Sequence, residues 1–237
     1  MKTKLYEINF QEANKFLNFK FDDQLTQIKI EDSYYKVQAL LKKRNWLNLV
    51  GNRFSWLFIR DLIELYRQTF SPMSVVSIIN EIEILENVVE YKSLTGKPKI
   101  LKGEHLKGLK KKHYHQDSIK SFKKNCLDEI NKTTVQKKIR EEASELEKLQ
   151  GKEITIYQVL TILGKNLWTP YIDRLAPEKN IYKKHLTGEW IIYYENEGLN
   201  YYLALWEHDL DDSIKAQQIK LFCTQEFPKL QILKHLD

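Results

Sequence analysis

Three histidines lie close together in a segment that is rich in lysine. His105, His113 and His115 fall within eleven residues of one another. Metal-free cleavage of RNA needs a base for the 2′-hydroxyl proton, an acid for the leaving oxygen, and a cation that stabilises the charged phosphorane. Histidine can perform the first two roles near neutral pH, and lysine can perform the third. We therefore predict a catalytic loop that contains His105, Lys107, His113 and His115.

The positive charge of the chain is concentrated in the same segment. Residues 97–124 contain ten lysines and two acidic residues, which gives a local charge of +8. The whole chain of 237 residues carries only +6, so the remainder sums to −2. A confined basic patch attracts polyanions by Coulomb steering and by the release of counterions, and a tyrosine within it would stack on an unpaired base. The predicted contacts with RNA or single-stranded nucleic acid are Lys97, Lys99, Lys102, Lys110, Lys111, Lys112, Tyr114, Lys120, Lys123 and Lys124.

Two other interpretations use the same residues. His113 and His115 have the spacing of a ligand pair on an extended segment, and Glu104, Asp117 or His105 would complete a metal shell. The surrounding lysines repel a dication, so we predict no metal and no cofactor. The second alternative is a solvated lysine-rich loop that only aids solubility, with histidines that merely share its surface.

A second candidate site lies at the ends of two predicted strands. Glu207 and His208 follow one strand, and His185 precedes the other. Antiparallel pairing brings these ends together, and a histidine beside carboxylates can act as a general base. The alternative role of such polar residues is to hydrogen-bond the exposed edge of the sheet.

The N-terminal part is predicted to be mainly helical. Short alternations at residues 19–21 and 28–30 favour one or two strands. A helix capped by Asp32 or Ser33 follows, and apolar residues at helical spacing predict another from residue 54 to residue 70. Ser71 and Pro72 form a helix start signal, because serine accepts from the first amides and proline suits the first helical position.

The middle and C-terminal parts change character. Thr155 begins a helix that Gly164 ends, and a winged helix-turn-helix is disfavoured because the next helix, 169–175, has little positive charge. The runs at 188–194 and 200–206 surround a turn and predict a β-hairpin whose two faces are both buried. A helix capped near Asp211 and a strand at 230–233 should follow. The fold class is therefore α+β, with residues 1–94, 95–178 and 179–237 packed as one compact unit.

Several classes of protein and compartment are disfavoured. The chain has two cysteines and no C-x-x-C motif, the first ten residues lack an apolar leader, and acidic residues interrupt the apolar stretch 73–89. These features predict a cytoplasmic protein without a transmembrane helix. P-loop, dinucleotide-binding, H-E-x-x-H and G-x-S-x-G motifs are absent from the sequence, so the corresponding enzyme classes lack support.

The predicted order, helices followed by a small antiparallel sheet, resembles the architecture of small bacterial ribonuclease toxins. The resemblance involves no shared motif and assigns no residues; it implies RNA cleavage in a toxin or antiviral defence system. Our first hypothesis is therefore a metal-independent ribonuclease that acts on RNA or single-stranded nucleic acid. The second is a non-enzymatic module, an adaptor or inhibitor, that binds nucleic acid or an acidic protein.

Overall fold

The chain forms two compact units in a computed structural model that describes residues 5–69, 71–90, 93, 95–115, 126–151, 153–168, 189–207 and 211–236. The first unit combines Met1–Asp117 with Gly188–Asp237, and the second is Ser118–Thr187. These boundaries differ from the predicted divisions at residues 94 and 178. In the part of the chain that is described, no helix combines the length and the apolar character needed to cross a membrane.

Five helices open the first unit. Contrary to prediction, residues 28–30 lie within the second of them and residues 19–21 form no strand. The reason is that Asp23, not Asp32, caps this helix by accepting from the Thr26 amide at 2.7 Å. Its buried face then follows helical spacing through Ile30 and Tyr34. The five helices are α1 (Phe10–Leu17), α2 (Gln24–Lys43), α3 (Trp46–Val50), α4 (Trp56–Thr69) and α5 (Pro72–Leu85).

The predicted start of α5 is confirmed. The Ser71 side chain accepts a hydrogen bond from the Met73 amide at 3.2 Å, and Pro72 occupies the first helical turn. Helix α5 buries Val75, Ile78 and Ile82 against the rest of the unit. It therefore supplies one wall of the helical core.

The described part of the second unit contains a helical stretch at residues 126–130, followed by α6 (Thr133–Gln150) and α7 (Ile156–Leu163). Helix α6 ends at Gly151, which adopts a left-handed φ of 62°. Helix α7 begins after Thr155, as predicted, and the Thr155 and Gln158 side chains form a capping box there. After Leu163 the chain passes into a π-helical turn, Gly164–Trp168. The predicted helix at 169–175 lies outside the described residues.

A four-stranded antiparallel sheet forms the centre of the first unit, in the order β1-β2-β3-β4. Its strands are β1 (Lys99–Ile100), β2 (Lys110–His113), β3 (Trp190–Asn196) and β4 (Leu199–Trp206), followed by helix α8 (Asp212–Glu226). The hairpin of β3 and β4 and the Asp211 cap of α8 were both predicted and are confirmed. The α+β class is confirmed as well.

The strand predicted at residues 230–233 is wrong. The chain instead forms a 3₁₀ turn at Gln231–His235, which packs Leu233 into the core. The position beside the β3–β4 hairpin is taken by β2, which pairs with β3 over four residues. A short apolar run such as 230–233 is compatible with a strand or with a helical turn. Here the strand that pairs with β3 comes from residues 110–113 instead.

The sheet is buried on both faces, as its apolar alternation predicts. Ile191 and Tyr193 pack with the core of helices α1 to α5, whereas Ile192 and Leu203 pack with α8 and the C-terminal turn. Successive residues of a strand point to opposite faces, so the alternation in β3 assigns each side chain to one of the two layers.

A partly buried ion pair joins three segments of this unit. Arg53 donates to both carboxylate oxygens of Glu86, at 3.1 and 2.6 Å, and to the Asn200 carbonyl at 2.7 Å. The Tyr202 hydroxyl donates to the same Glu86 carboxylate at 2.5 Å. Burial alone would raise the pKa of Glu86, but the hydrogen bonds from Arg53 and Tyr202 outweigh burial and lower it. Glu86 therefore fastens the end of α5 to strand β4.

We expect Glu86→Gln to reduce the free energy of unfolding at pH 7 by about 2 kcal/mol, because charge-assisted hydrogen bonds are replaced by weaker ones. A carboxyl group whose pKa is lowered by folding contributes stability above its ordinary value of 4.5, and that contribution disappears as the pH falls through the folded-state pKa. Urea unfolding of both proteins at pH 7 and pH 3 should therefore show a smaller difference at pH 3. An equal difference at both pH values would contradict this role.

Candidate functional site

The predicted basic segment forms a hairpin, which we call the lysine hairpin and define as residues 97–113. It consists of β1, a loop and β2. The loop is ordered by Leu101, Leu106 and Leu109, which are all buried between the sheet and α8. The Leu101 amide donates to the Leu109 carbonyl at 2.8 Å. The hydrophobic anchors therefore fix the positions of the lysines around them.

Gly108 allows the loop to approach the C-terminal turn. Its φ is +89°, and a Cβ atom at this position would lie 3.0 Å from Cδ1 of Ile232. The residue thus combines a left-handed backbone with a close contact, two conditions that favour glycine. The lysine hairpin is held at both its apolar anchors and its turn.

Four lysines of the hairpin are exposed: Lys97, Lys99, Lys102 and Lys107. Lys102 and Lys107 each follow a buried leucine, so burial of the leucine directs the next side chain outward. Glu104 is exposed in the same loop. The outer surface of the hairpin therefore carries a net positive charge on an ordered backbone.

Two further lysines are half-buried and engaged. Lys110 Nζ lies 2.7 Å from Glu195 Oε2 on the neighbouring strand. Lys111 Nζ lies 3.3 Å from the centroid of the Trp190 ring, a cation–π contact. Burial lowers the pKa of Lys111, and nearby Lys99 lowers it further. These two lysines contribute charge to the surface, but their ammonium groups already have partners.

Lys112 has a different position from the one predicted, because it lies inside the protein. It is 1% exposed, and its Nζ is 2.9 Å from Glu81 Oε2. It also donates to Ser93 Oγ at 2.6 Å, Thr95 Oγ1 at 2.8 Å and the Gly96 carbonyl at 2.7 Å. Burial lowers the pKa of Lys112, and the adjacent Glu81 carboxylate opposes that effect. Lys112 is therefore not available to an external polyanion.

Tyr114 is also placed in the interior. It is 2% exposed and packs in the helical core rather than on the surface. Residues of a strand alternate between its two faces, so burial of Lys112 carries Tyr114 inward with it. Tyr114 therefore does not offer a stacking platform to a base.

We expect Lys112→Met to reduce the free energy of unfolding by about 3–5 kcal/mol, because it leaves the Glu81 carboxylate buried without its cation. The double variant Lys112→Met/Glu81→Leu should recover most of that loss in urea unfolding. Lys110→Met is the matched control on the same strand, with an exposed partner and an expected cost below about 1 kcal/mol. Equal costs for Lys112→Met and Lys110→Met would contradict a structural role for the buried pair.

The predicted catalytic histidines occupy separate surroundings. The His113 ring packs edge-on to Trp190, with 6.0 Å between centroids. His105 lies near the start of α8. The pKa of Asp211 is lowered there, chiefly by hydrogen bonds from Ser213 and to a smaller extent by the charge of His105. His115 is half-buried. These three histidines line neither the cavity that contains Asp61 nor the cavity beside Trp56 and Phe222. The catalytic loop with Lys107 stays a prediction.

Of the second candidate site, only Glu207 belongs to the described residues, because His185 and His208 lie outside them. Lys120, Lys123 and Lys124, which were predicted to contact nucleic acid, also lie outside the described residues. Glu207 lines a cavity of about 210 Å³ together with Asp61 and Lys215. Sequence reasoning missed the last two. The available signal was Asp61 itself, which with Arg60 interrupts the otherwise apolar run from Leu57 to Ile63 and indicates a carboxylate that needs a partner.

The buried Lys215 forms an ion pair with Asp61, which is partly buried. Lys215 Nζ lies 3.1 Å from Asp61 Oδ2, and the same oxygen accepts from the Leu205 amide at 2.8 Å. Burial raises the pKa of Asp61, whereas Lys215 and the Leu205 amide oppose the increase. Among the described residues, no group of three or more histidine, cysteine or acidic side chains is arranged to hold a metal ion.

Comparison of the chain with protein-family models, with curated proteins and with solved structures returns no match.

Proposed function

We propose that the protein binds RNA or another single-stranded nucleic acid through the lysine hairpin. The observation that carries this proposal is the set of four exposed lysines, Lys97, Lys99, Lys102 and Lys107, on one ordered hairpin. Such a group of ammonium ions neutralises successive phosphates and releases their counterions. The net charge of −2 outside residues 97–124 concentrates this attraction on the hairpin.

The contacts favour recognition of the phosphate backbone over recognition of bases. Tyr114 is buried, and Lys111 covers the Trp190 ring at 3.3 Å. With these rings engaged, the exposed lysines provide the contacts, and phosphate contacts do not distinguish sequences. We therefore propose binding that depends strongly on salt and weakly on sequence.

Edge protection is a competing role for the same lysines. Strand β1 is an outer strand of the sheet, and lysines on an outer strand discourage pairing with another chain. That role requires charge but no affinity for nucleic acid. A binding measurement therefore separates the two roles.

We expect a labelled single-stranded RNA to bind with a slope of about −3 in a plot of log Kobs against log salt, because four lysines displace counterions from four phosphates. Fluorescence anisotropy measures this slope. Replacing Lys97, Lys99, Lys102 and Lys107 together by Gln should remove most of the binding. The matched control replaces four exposed lysines elsewhere in the first unit, Lys20, Lys36, Lys220 and Lys229, with the same change of charge.

An equal loss of binding in both fourfold variants would contradict a specific role for the hairpin and would indicate only an effect of net charge. Absence of RNA and DNA binding by the natural protein at low salt would overturn the proposal. The surface would then suit the alternative partner, an acidic protein.

A metal-independent ribonuclease is the enzymatic form of this proposal. Its support is the presence of His105 and His113 on the hairpin that carries the exposed lysines. Incubation of RNA with the protein in EDTA tests it: cleavage that is lost in His105→Ala or His113→Ala supports the enzyme. Salt-sensitive binding without cleavage supports the binding module. Activity in a toxin or antiviral defence system would follow only from cleavage.

We further propose a cytoplasmic location. Cys126 and Cys223 are thiols rather than disulfides, as a reducing compartment would keep them. Nucleic-acid binding is also consistent with that compartment.

A further inference from the structure

Helix α6 carries its charges in two halves of opposite sign. Residues 133–140 contain three basic residues and no acidic residue, which gives a charge of +3. Residues 141–150 contain four acidic residues and one basic residue, which gives a charge of −3. An identical helix that runs in the opposite direction therefore presents the complementary charge to each half.

The charges of α6 are satisfied only in part within the chain. Lys137 forms an i,i+4 ion pair with Glu141 at 3.7 Å, and both side chains are exposed. Glu142 is paired with Lys165 at 3.3 Å. The other charged side chains of α6 are exposed and form no ion pair with a described residue: Lys138, Arg140, Glu145, Glu147 and Lys148. These five side chains are available to a partner.

Helix α6 also gains little stability from its own chain. None of its 18 described residues is fully buried, its first turn has no acidic residue, and Lys132 at the N-cap makes no side-chain cap. Basic residues toward the N-terminus and acidic residues toward the C-terminus are the reverse of what the helix dipole favours. Most of the stability of a helix in a protein comes from packing of one face. A further contact on α6 would supply such packing.

Exposed apolar side chains lie beside both ends of α6. Leu149, Ile156 and Tyr157 surround its connection to α7 and are 84%, 80% and 76% exposed. Leu127, in the helical stretch before α6, is 49% exposed. Grouped apolar residues on a surface are typical of interaction sites. In an antiparallel pair of helices the end of one lies beside the start of the other, so these apolar groups come together.

From this arrangement we propose that α6 binds α6 of a second copy of this chain, as an antiparallel pair related by a two-fold axis. A register centred on residue 142 places Lys137 of each copy opposite Glu147 of the other. It also places Arg140 opposite Ser144, whose small side chain leaves room for the guanidinium. These four residues are all exposed and follow one another at three- and four-residue spacing, so they form one stripe along the helix.

The size of this contact determines its strength. A helix of 18 residues is about 27 Å long and about 10 Å wide, so one face offers about 270 Å². Stable protein interfaces bury about 800 Å² per partner. The apolar side chains beside α6 enlarge the contact, yet the total remains below that size. The dimer is therefore weak, with a Kd on the order of 100 µM.

Sedimentation equilibrium of the full chain, free of nucleic acid, tests the dimer at concentrations of about 10–500 µM, which bracket this Kd. We expect the mean mass to rise from that of the monomer toward twice that value as the concentration increases. A constant monomer mass over this range would overturn the proposal. The result is independent of nucleic-acid binding, because the lysine hairpin belongs to the first unit.

Two triple variants give both halves of α6 the same sign of charge, so each variant alone should dimerise at least about tenfold more weakly than the natural protein. An equal mixture of the two should associate more tightly than the natural protein. The sixfold variant, which combines both sets, exchanges the charges between the halves and should dimerise again. The two sets are Lys137→Glu/Lys138→Glu/Arg140→Glu and Glu141→Lys/Glu145→Lys/Glu147→Lys.

The matched control is Lys20→Glu/Lys36→Glu/Lys229→Glu, which reverses three exposed lysines of the first unit and should dimerise like the natural protein. Lys, Arg and Glu all favour helix, so far-UV circular dichroism should be unchanged in every variant. Undiminished dimerisation of both triple variants would place the contact elsewhere and overturn the proposal. A mixture that does not associate, or a sixfold variant that stays monomeric, would overturn the antiparallel pairing of charges.

Discussion

The buried ion pair between Lys112 and Glu81 determines how the whole basic segment is displayed. Lys112 is the second-to-last residue of β2, and its ammonium group reaches Glu81 on α5 inside the protein. Side chains alternate along a strand, so this one contact sends Lys111 and His113 to the opposite face, toward Trp190. A shift of register by one residue would bury Lys111 and His113 and expose Lys112. In the present register the Lys112 ammonium group is paired with Glu81 and donates hydrogen bonds to the Ser93 and Thr95 hydroxyl groups. The buried charge of Lys112 therefore has partners in this register.

The two edges of the sheet are protected in different ways. Along β4, the Tyr202 amide donates to the Arg53 carbonyl at 2.8 Å and the Leu205 amide donates to Asp61 at 2.8 Å, so the chain around α4 covers this edge. Strand β1 forms the other edge and consists of two exposed residues, Lys99 and Ile100. A short charged strand resists pairing with other chains. The exposed edge at β1 therefore favours a ligand that binds the positive charge of the lysines over a strand that would extend the sheet.

The sequence allowed prediction of the elements whose signals are local. The Ser71–Pro72 start of α5, the start of α7 at Thr155, and the β3–β4 hairpin all depend on residues within a few positions of one another. The hairpin of β1 and β2 was missed, because β2 is the run Lys110–His113, whose composition is that of a loop. Its strand character comes from pairing with β3, about eighty residues away in the chain, and from the burial of Lys112 beside a partner on α5. Leu101, Leu106 and Leu109 were the signal that the segment is ordered, but their spacing fits neither helical nor strand periodicity.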